Sequence, residues 1–209
     1  MKICEEDALQ MLTAGTEPKN YLVRNHYYFN DEINTETARN MIISLHEVAL
    51  SIVNSSIDTG NIPCPICLHL NSPGGSLTDA LQVIQVIKDI QSGEACKIGN
   101  AKVPIEVWTY IEGESDSGAS LIAAVGSKRF CSRYAMSLIH PMRSIDANFK
   151  TVEEQKVQMS NNEKWNNIYV SIYLEHSKLT KEQITEMMKT ETYYTPEELL
   201  RFGLIEEII

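Results

Sequence analysis

Apolar residues recur along this chain with a helical period in some stretches and form short continuous runs in others. The strongest helical period covers residues 35–53, where one face collects Ala38, Met41, Ile42, Leu45, Val48, Ala49 and Ile52. The polar residues 54–61 are expected to end that helix. Short apolar runs at 65–70 and 107–111 predict buried strands. Strands that alternate with helices predict an α/β fold.

The rest of the pattern extends this alternation. Further strands are predicted at 21–29, 129–131, 135–139 and 204–209, and further helices after Ser76, at 118–125 and at 151–174. The long helix at 151–174 has a polar first half, and its second half carries Ile168, Ile172 and Leu174. We expect such a helix to project from its domain. Short helices at 5–13, 180–188 and 195–203 and a surface excursion at 91–103 complete the prediction.

Composition narrows the class of protein. The 209 residues fit one domain, and the formal net charge of −10 argues against nucleic-acid binding. The N-terminus lacks the apolar run of a signal peptide, and no run is long enough to cross a membrane. Five cysteines, an odd number, suggest reduced thiols in a cytoplasmic protein. Cys64 and Cys67 are interpreted as buried structural thiols, so no metal or cofactor is expected.

Ser117 is the strongest candidate for chemistry. It lies between the apolar run 107–111 and the small-residue helix 118–125, in the sequence GESDSGASLIAAVG. A serine at that junction has its hydroxyl beside free backbone N–H groups, which favour developing negative charge. Two interpretations therefore stand, a helix N-cap and a nucleophile.

A serine nucleophile needs a base and donors for the oxyanion. His140, at the end of a predicted strand, is the first choice of base, and His69 is either a second choice or a core histidine. The Gly74-Gly75 turn allows the N–H of Gly75 to point into a cleft without a side chain in the way. The N–H of Gly118, next to the nucleophile, is the second donor.

Taken in order, four motifs resemble the ClpP peptidases, the compartmentalised caseinolytic serine proteases. They are NSPGG at 71–75, GESDSGAS at 113–120, IHP at 139–141 and PEE…GL near the C-terminus, so the resemblance covers about residues 21–209. It implies one peptidase domain over 1–209 with a crotonase-like fold of repeated ββα units. It also implies a variable N-terminal segment at 1–20 and a protruding helical handle at 141–175.

The resemblance also implies an activity and an assembly. It implies an endopeptidase that acts on polypeptides inside a chamber formed by stacked heptameric rings, fed by an AAA+ unfoldase. Carried over by motif, Ser117 matches the nucleophile and His140 the base, while Gly75 and Gly118 match the oxyanion donors. Counting back from Gly203, the family's catalytic Asp falls on Glu191.

The chain departs from the family's pattern at several positions. Thr190 precedes the acid where the family has an Arg used between rings, and residues 142–150 contain no glycine where the family has a glycine-rich strand. Asp116 precedes the nucleophile where the family has a small apolar residue. Its carboxylate either disfavours the oxyanion or faces solvent. Residues 91–103 form a longer connection than the family's.

The main hypothesis is an active serine endopeptidase. One alternative is a ring subunit that kept the fold, lost activity and acts as a structural or regulatory partner. A second is a crotonase-type acyl-CoA enzyme, for which the chain lacks a basic cluster suited to the nucleotide phosphates. A third is a Ser–Lys dyad peptidase with Lys128 as base.

Overall fold

The computed structural model describes residues 19–141 and 151–209. Those residues form six helices and ten strands. The alternation matches the prediction, but the strands at 97–98, 101–102 and 192–194 were not predicted. The strands are β1 (Tyr21–Val23), β2 (His26–Phe29), β3 (Ile66–Ser72), β4 (Lys97–Ile98), β5 (Ala101–Lys102), β6 (Val107–Ser115), β7 (Lys128–Cys131), β8 (Ser137–Ile139), β9 (Thr192–Tyr194) and β10 (Glu207–Ile208). The helices are α1 (Thr35–Thr59), α2 (Leu77–Ser92), α3 (Gly118–Ala124), α4 (Val152–Glu175), α5 (Lys181–Met187) and α6 (Pro196–Phe202).

A six-stranded sheet in the order β1-β2-β3-β6-β7-β10 forms the centre of the molecule. Its first pair is antiparallel, and every following pair is parallel. The register between β3 and β6 shifts beyond the pair Leu70↔Ile111, so that Ser72 lies opposite Ser115. This irregularity comes where both strands reach the loops that carry the candidate site. The α/β class predicted from the sequence is confirmed.

Helices α1, α2 and α3 pack side by side on the sheet. Every second residue of β3 points to the face of the sheet that the helices cover, and these residues, Ile66, Leu68 and Leu70, are all fully buried. Helix α1 begins at a capping box made by Asn34 and Thr37. It runs to Thr59 and ends at Gly60 in the left-handed conformation, so the predicted end near residue 53 is wrong.

The alternate positions of the same strands form a ladder of stacked rings. It crosses five strands in the order Tyr21, Tyr28, His69, Tyr110 and Phe130, and neighbouring ring centroids are 4.2–4.7 Å apart. His69 also contacts His26 at 2.9 Å and Glu112 at 2.5 Å. We call these five rings the aromatic ladder. Its partners identify His69 as a core histidine with satisfied ring nitrogens.

Three further expectations need comment. Helix α4 is exposed along its first half, and its buried residues are Tyr169, Val170, Ile172 and Tyr173. Leu174, one of the apolar residues of its second half, is 45% exposed. Cys67 is buried, but Cys64 is exposed, so only one thiol of the pair matches its prediction. The helix predicted at 5–13 lies outside the described residues.

In the part of the chain that the structure describes, no helix could span a membrane.

Candidate active site

Ser117 occupies a strained turn between β6 and α3. Its φ of 52° and ψ of −119° lie in a region that L-residues rarely adopt, at a cost of about 1–3 kcal/mol. Although Ser117 stands at the N-cap position, its side chain makes no capping hydrogen bond, so the simple N-cap interpretation is wrong. A serine held in an unfavourable conformation between a strand and a helix is typical of an exposed nucleophile.

The Gly74-Gly75 loop packs against this turn. A Cβ atom added at Gly74 would lie 2.3 Å from the carbonyl oxygen of Asp116 and 2.8 Å from Cβ of Ser117. Only glycine therefore fits at this position. The loop is fixed from its other side by Ile33, whose N–H donates to the Gly74 carbonyl at 2.7 Å and whose carbonyl accepts from Ser76 at 2.8 Å.

The two predicted oxyanion donors lie next to each other. A Cβ added at Gly118 would be 3.7 Å from the carbonyl oxygen of Gly75. Gly75 has a φ of 141°, which L side chains rarely adopt, and Gly118 is fully packed at the first turn of α3. The structure thus brings both glycines to the turn that holds Ser117.

Two short antiparallel strands deliver the candidate base and acid. Strands β8 and β9 pair Leu138 with Tyr193 and Ile139 with Thr192. Continued by one residue, this register sets His140 opposite Glu191, and directly opposed residues have Cβ atoms about 4.5–5.5 Å apart. The N–H of Ser117 donates to the Leu138 carbonyl at 2.9 Å, which ties the nucleophile turn to the same pair of strands.

The ring of His140 has a defined hydrogen-bond partner. Its Nδ1 lies 2.7 Å from the carbonyl oxygen of Pro141. Because a carbonyl oxygen can only accept, the proton of the neutral ring is on Nδ1, and Nε2 carries the lone pair. This is the tautomer that a general base needs.

Asp116 does not face solvent, which overturns one of its two interpretations. The residue is only 4% exposed, and its Oδ1 accepts the N–H of Leu138 at 2.8 Å. Its side chain also interacts with the Tyr193 hydroxyl. Burial raises the pKa of Asp116, while the bonds to Leu138 and Tyr193 and the nearby His140 act in the opposite direction.

Two tyrosines of α4 reach the nucleophile turn, and the sequence analysis missed both. The hydroxyl of the buried Tyr169 interacts with the Ser117 side chain. The Tyr173 hydroxyl lies 2.6 Å from Oγ of Ser120, which itself donates to the Ser117 carbonyl at 2.6 Å. Burial raises the pKa of Tyr169, so the phenol stays neutral. The four-residue spacing of the two tyrosines indicated a shared helix face, but nothing local indicated its partner.

The Ser–Lys hypothesis is wrong for this fold. Lys128 begins β7 beside Trp108, with its ammonium 4.5 Å from the centre of the indole ring. Trp108 stands near the start of β6 and Ser117 follows its end, so about 20–30 Å of strand separates them. Within the described residues no cluster of three or more His, Cys, Asp or Glu side chains is arranged to hold a metal ion.

Comparison with known proteins agrees with this geometry. The family model of the Clp protease matches residues 17–209. The chain is also similar to the ATP-dependent Clp protease proteolytic subunit 1 of Rhodopirellula baltica, at 26% identity over 148 residues. That match covers 69% of this chain and 58% of the relative's length.

A serine in a strained strand–helix turn, packed against a glycine loop and against the strand that leads to a histidine, resembles the sites of serine hydrolases. The chain belongs to the Clp protease family, because the family model covers all but its first residues. The resemblance seen in the sequence is thereby confirmed, and the chain is a divergent member at this level of identity.

Proposed function

We propose that this chain is a serine endopeptidase, the proteolytic subunit of an ATP-dependent Clp-type protease. The observation that carries the proposal is the junction at Ser117. There a strained serine is joined through the Leu138 carbonyl to the strand that leads to His140. The Gly74-Gly75 loop closes on the same junction. Membership of the Clp protease family supports this chemistry.

In the proposed reaction Oγ of Ser117 attacks the carbonyl carbon of the scissile peptide bond. Nε2 of His140 accepts the hydroxyl proton and then delivers it to the leaving amine. The N–H groups of Gly75 and Gly118 bind the oxyanion of the tetrahedral intermediate, and one such donor is typically worth ~10²–10³ in rate. Water then hydrolyses the acyl-enzyme by the same steps in reverse order.

Glu191 is the proposed acid of the triad. The β8–β9 register supports this role, because one further step beyond its last pair, Ile139 with Thr192, would set Glu191 opposite His140. A carboxylate there stabilises the imidazolium that forms when His140 takes the proton. In this structure Nδ1 donates to the Pro141 carbonyl, so Glu191 would replace that carbonyl as the acceptor at Nδ1 in the working triad.

The wider assembly is proposed from the family alone. We expect residues 1–209 to form one crotonase-like peptidase domain, with 141–175 as a handle. We also expect self-association into stacked heptameric rings around a chamber for polypeptide substrates. An AAA+ unfoldase as partner and a cytoplasmic location complete the proposal. The largely exposed first half of α4 is consistent with a surface that contacts another subunit.

A catalytically impaired ring subunit is the second candidate. Asp116 favours it, because a buried carboxylate one residue before the nucleophile disfavours negative charge on a nearby oxyanion. In that case the fold would serve assembly, and Ser117 would carry no activated hydroxyl.

Labelling with a fluorophosphonate probe, read by intact-mass spectrometry, separates the two candidates. The probe reports an activated serine together with a formed oxyanion site. The matched control is Ser115→Ala, which removes a buried hydroxyl that has no hydrogen-bond partner two residues from Ser117. We expect one adduct on the wild type and on Ser115→Ala, and none on Ser117→Ala.

The measurement is repeated on the largest oligomer recovered by size-exclusion chromatography. An unlabelled wild type in every oligomeric fraction would overturn the peptidase proposal and favour the impaired subunit. An adduct that persists in Ser117→Ala would show that another residue is the nucleophile.

A further inference from the structure

We propose that Asp116 is a positioning residue that locks the three segments of the catalytic triad together. The inference rests on the proposed function, since it concerns the geometry of Ser117, His140 and Glu191. No motif of the sequence assigns Asp116 this task. Its position before the nucleophile indicated only an unfavourable charge or an exposed side chain.

The first contact is with the strand of the base. Oδ1 of Asp116 accepts the N–H of Leu138 at 2.8 Å, two residues before His140. In return, the N–H of Ser117 donates to the Leu138 carbonyl at 2.9 Å. Both backbone hydrogen-bonding groups of Leu138 are therefore held by consecutive residues of the nucleophile turn. These two bonds fix the position and the orientation of β8 relative to that turn.

The second contact is with the strand of the acid. The Tyr193 hydroxyl interacts with the Asp116 carboxyl, and Tyr193 lies two residues after Glu191. Tyr193 is also the partner of Leu138 in the β8–β9 pair. One carboxylate thus accepts a backbone N–H on β8 and interacts with a side chain on β9, where the two strands oppose each other.

The third contact is with the glycine loop. The N–H of Asp116 donates to the Ser72 carbonyl at 3.0 Å, and its own carbonyl packs against Gly74. Asp116 therefore joins the nucleophile turn, the base strand, the acid strand and the loop of Gly75.

Burial of this carboxylate opposes its ionised form, which is consistent with a functional reason for its presence. Desolvation raises the pKa of Asp116 despite two hydrogen bonds that favour the charge. Burying a carboxylate costs free energy. A small apolar residue would avoid that cost if the position had only a structural role. The gain that we infer is the fixed placement of His140 and Glu191.

The test compares Asp116→Asn with Asp116→Ala, using the rate of fluorophosphonate labelling at saturating and subsaturating probe. Asn keeps an oxygen for Leu138 and gains an amide that donates to the Tyr193 oxygen, so it retains the bridge without the charge. We expect Asn to label within about fivefold of the wild type. Ala should lose ~10²-fold, mainly in the maximal rate, because small misplacements of a catalytic group cost that much.

Tyr193→Phe removes only the hydroxyl that reaches Asp116. Tyr193 is 53% exposed, so this variant folds even if Asp116→Ala does not. We expect a loss of about two- to fivefold in labelling rate. Tyr134→Phe, at a tyrosine that is 92% exposed, is the matched control and should label like the wild type.

Amide hydrogen exchange at Leu138 provides a readout that needs no activity. We expect exchange to be at least ~10-fold faster in Asp116→Ala than in the wild type, and close to the wild type in Asp116→Asn. An unlabelled wild type would refute the peptidase function, but the exchange rates would still decide whether Asp116 holds β8.

Two results would overturn the inference. One is wild-type labelling and Leu138 exchange in Asp116→Ala. The other is an Asn variant as slow as the Ala variant, which would assign the effect to charge rather than to placement.

Discussion

Two serines begin helices after neighbouring parallel strands, and the structure treats them differently. Ser76 precedes α2, and its hydroxyl accepts the N–H of Asp79 as an N-cap. Its φ is −58°, an ordinary value. Ser117 precedes α3 with a φ of 52°, and its hydroxyl leaves the helix uncapped and meets Tyr169 instead.

The difference shows what makes one of two similar positions suited to chemistry. An N-cap serine uses its oxygen to satisfy a backbone donor, which stabilises the helix but occupies the hydroxyl. Ser117 makes no such bond and carries backbone strain, so its hydroxyl remains available to a substrate. The stabilisation missing at α3 is supplied by the packing of its seven residues, all of which are buried.

The largest expected effect is the loss of activity on removal of the Ser117 hydroxyl. Ser117→Ala should lower the kcat of peptide hydrolysis by ~10⁶ if the triad acts as a unit. Ser76→Ala should keep kcat and lower the free energy of unfolding by about 1 kcal/mol, through loss of the cap. Peptidase assays and urea unfolding measure both. Equal effects on kcat would mean that Ser117 has no special role.

The next effect concerns the glycines that surround the two junctions. Gly74→Ala should lower kcat/KM by ~10²–10³, because its new Cβ would push into the carbonyl of Asp116 and displace the neighbouring oxyanion donor, Gly75.

 The matched control is Gly60→Ala. Gly60 also has a positive φ of 68°, but an added Cβ there meets nothing within 4 Å. We expect Gly60→Ala to lose about 1 kcal/mol of stability and no activity. Wild-type activity in Gly74→Ala would remove the glycine loop from the site.

A smaller effect is expected from Tyr169, the neighbour of the Ser117 hydroxyl. Tyr169→Phe removes the phenol that bonds to Ser117, so the labelling rate should fall about fivefold, which is the worth of one ordinary hydrogen bond. Steady-state kinetics on a peptide substrate should show the change in kcat rather than in KM. A rate above that of the wild type would mean instead that Tyr169 restrains the hydroxyl in the free enzyme.

Backbone strain at Ser117 gives a further difference in stability. Ser117→Gly should have a free energy of unfolding about 1 kcal/mol above that of Ser117→Ala, because glycine adopts a positive φ without a steric penalty. The same pair of substitutions at Ser76 should show the opposite order or none, since its φ is negative. Urea unfolding of the four variants measures both differences.

The smallest effect is a dependence of stability on pH. The pKa of Asp116 in the folded state is raised above its ordinary value of 3.8, chiefly by burial, with Glu114 adding to the shift and Tyr193 and His140 opposing it. As pH rises past 3.8, the unfolded state ionises first, so the folded state loses stability until its own carboxyl ionises. Asp116→Asn should therefore gain stability over the wild type between pH 4 and neutral pH. Parallel unfolding curves at pH 3 and pH 7 measure this gain, and an equal difference at both values would contradict it.

The sequence was sufficient for most elements of the fold, because each of them has a local signal. Capping boxes at Thr151, Thr180 and Thr195 mark three helix starts, and glycines at 60, 93 and 203 end three helices. The extra turns of α1 beyond residue 53 were missed, since polar side chains there suggested a loop. Gly60, which the structure shows in the left-handed conformation, was the stronger signal for the end of the helix.

The candidate site was only partly readable from the sequence. Motif order pointed to Ser117, His140 and two glycines, and the chain belongs to the Clp protease family, as those motifs indicated. The burial of Asp116 could not be read, because it depends on β8 and β9, which lie more than twenty residues away. The bond from Tyr169 to Ser117 has the same origin, since it joins residues that only the tertiary fold brings together.

The aromatic ladder gives this molecule an optical reporter. Trp108 lies at its edge, 5.9 Å from Phe130 between ring centres, with the Lys128 ammonium over its indole. Indole emission changes in wavelength and intensity with the polarity and charge around the ring. The chain has two tryptophans, so Trp165→Phe would leave Trp108 as the sole emitter. Its fluorescence would then follow any change at that face of the sheet without an attached label.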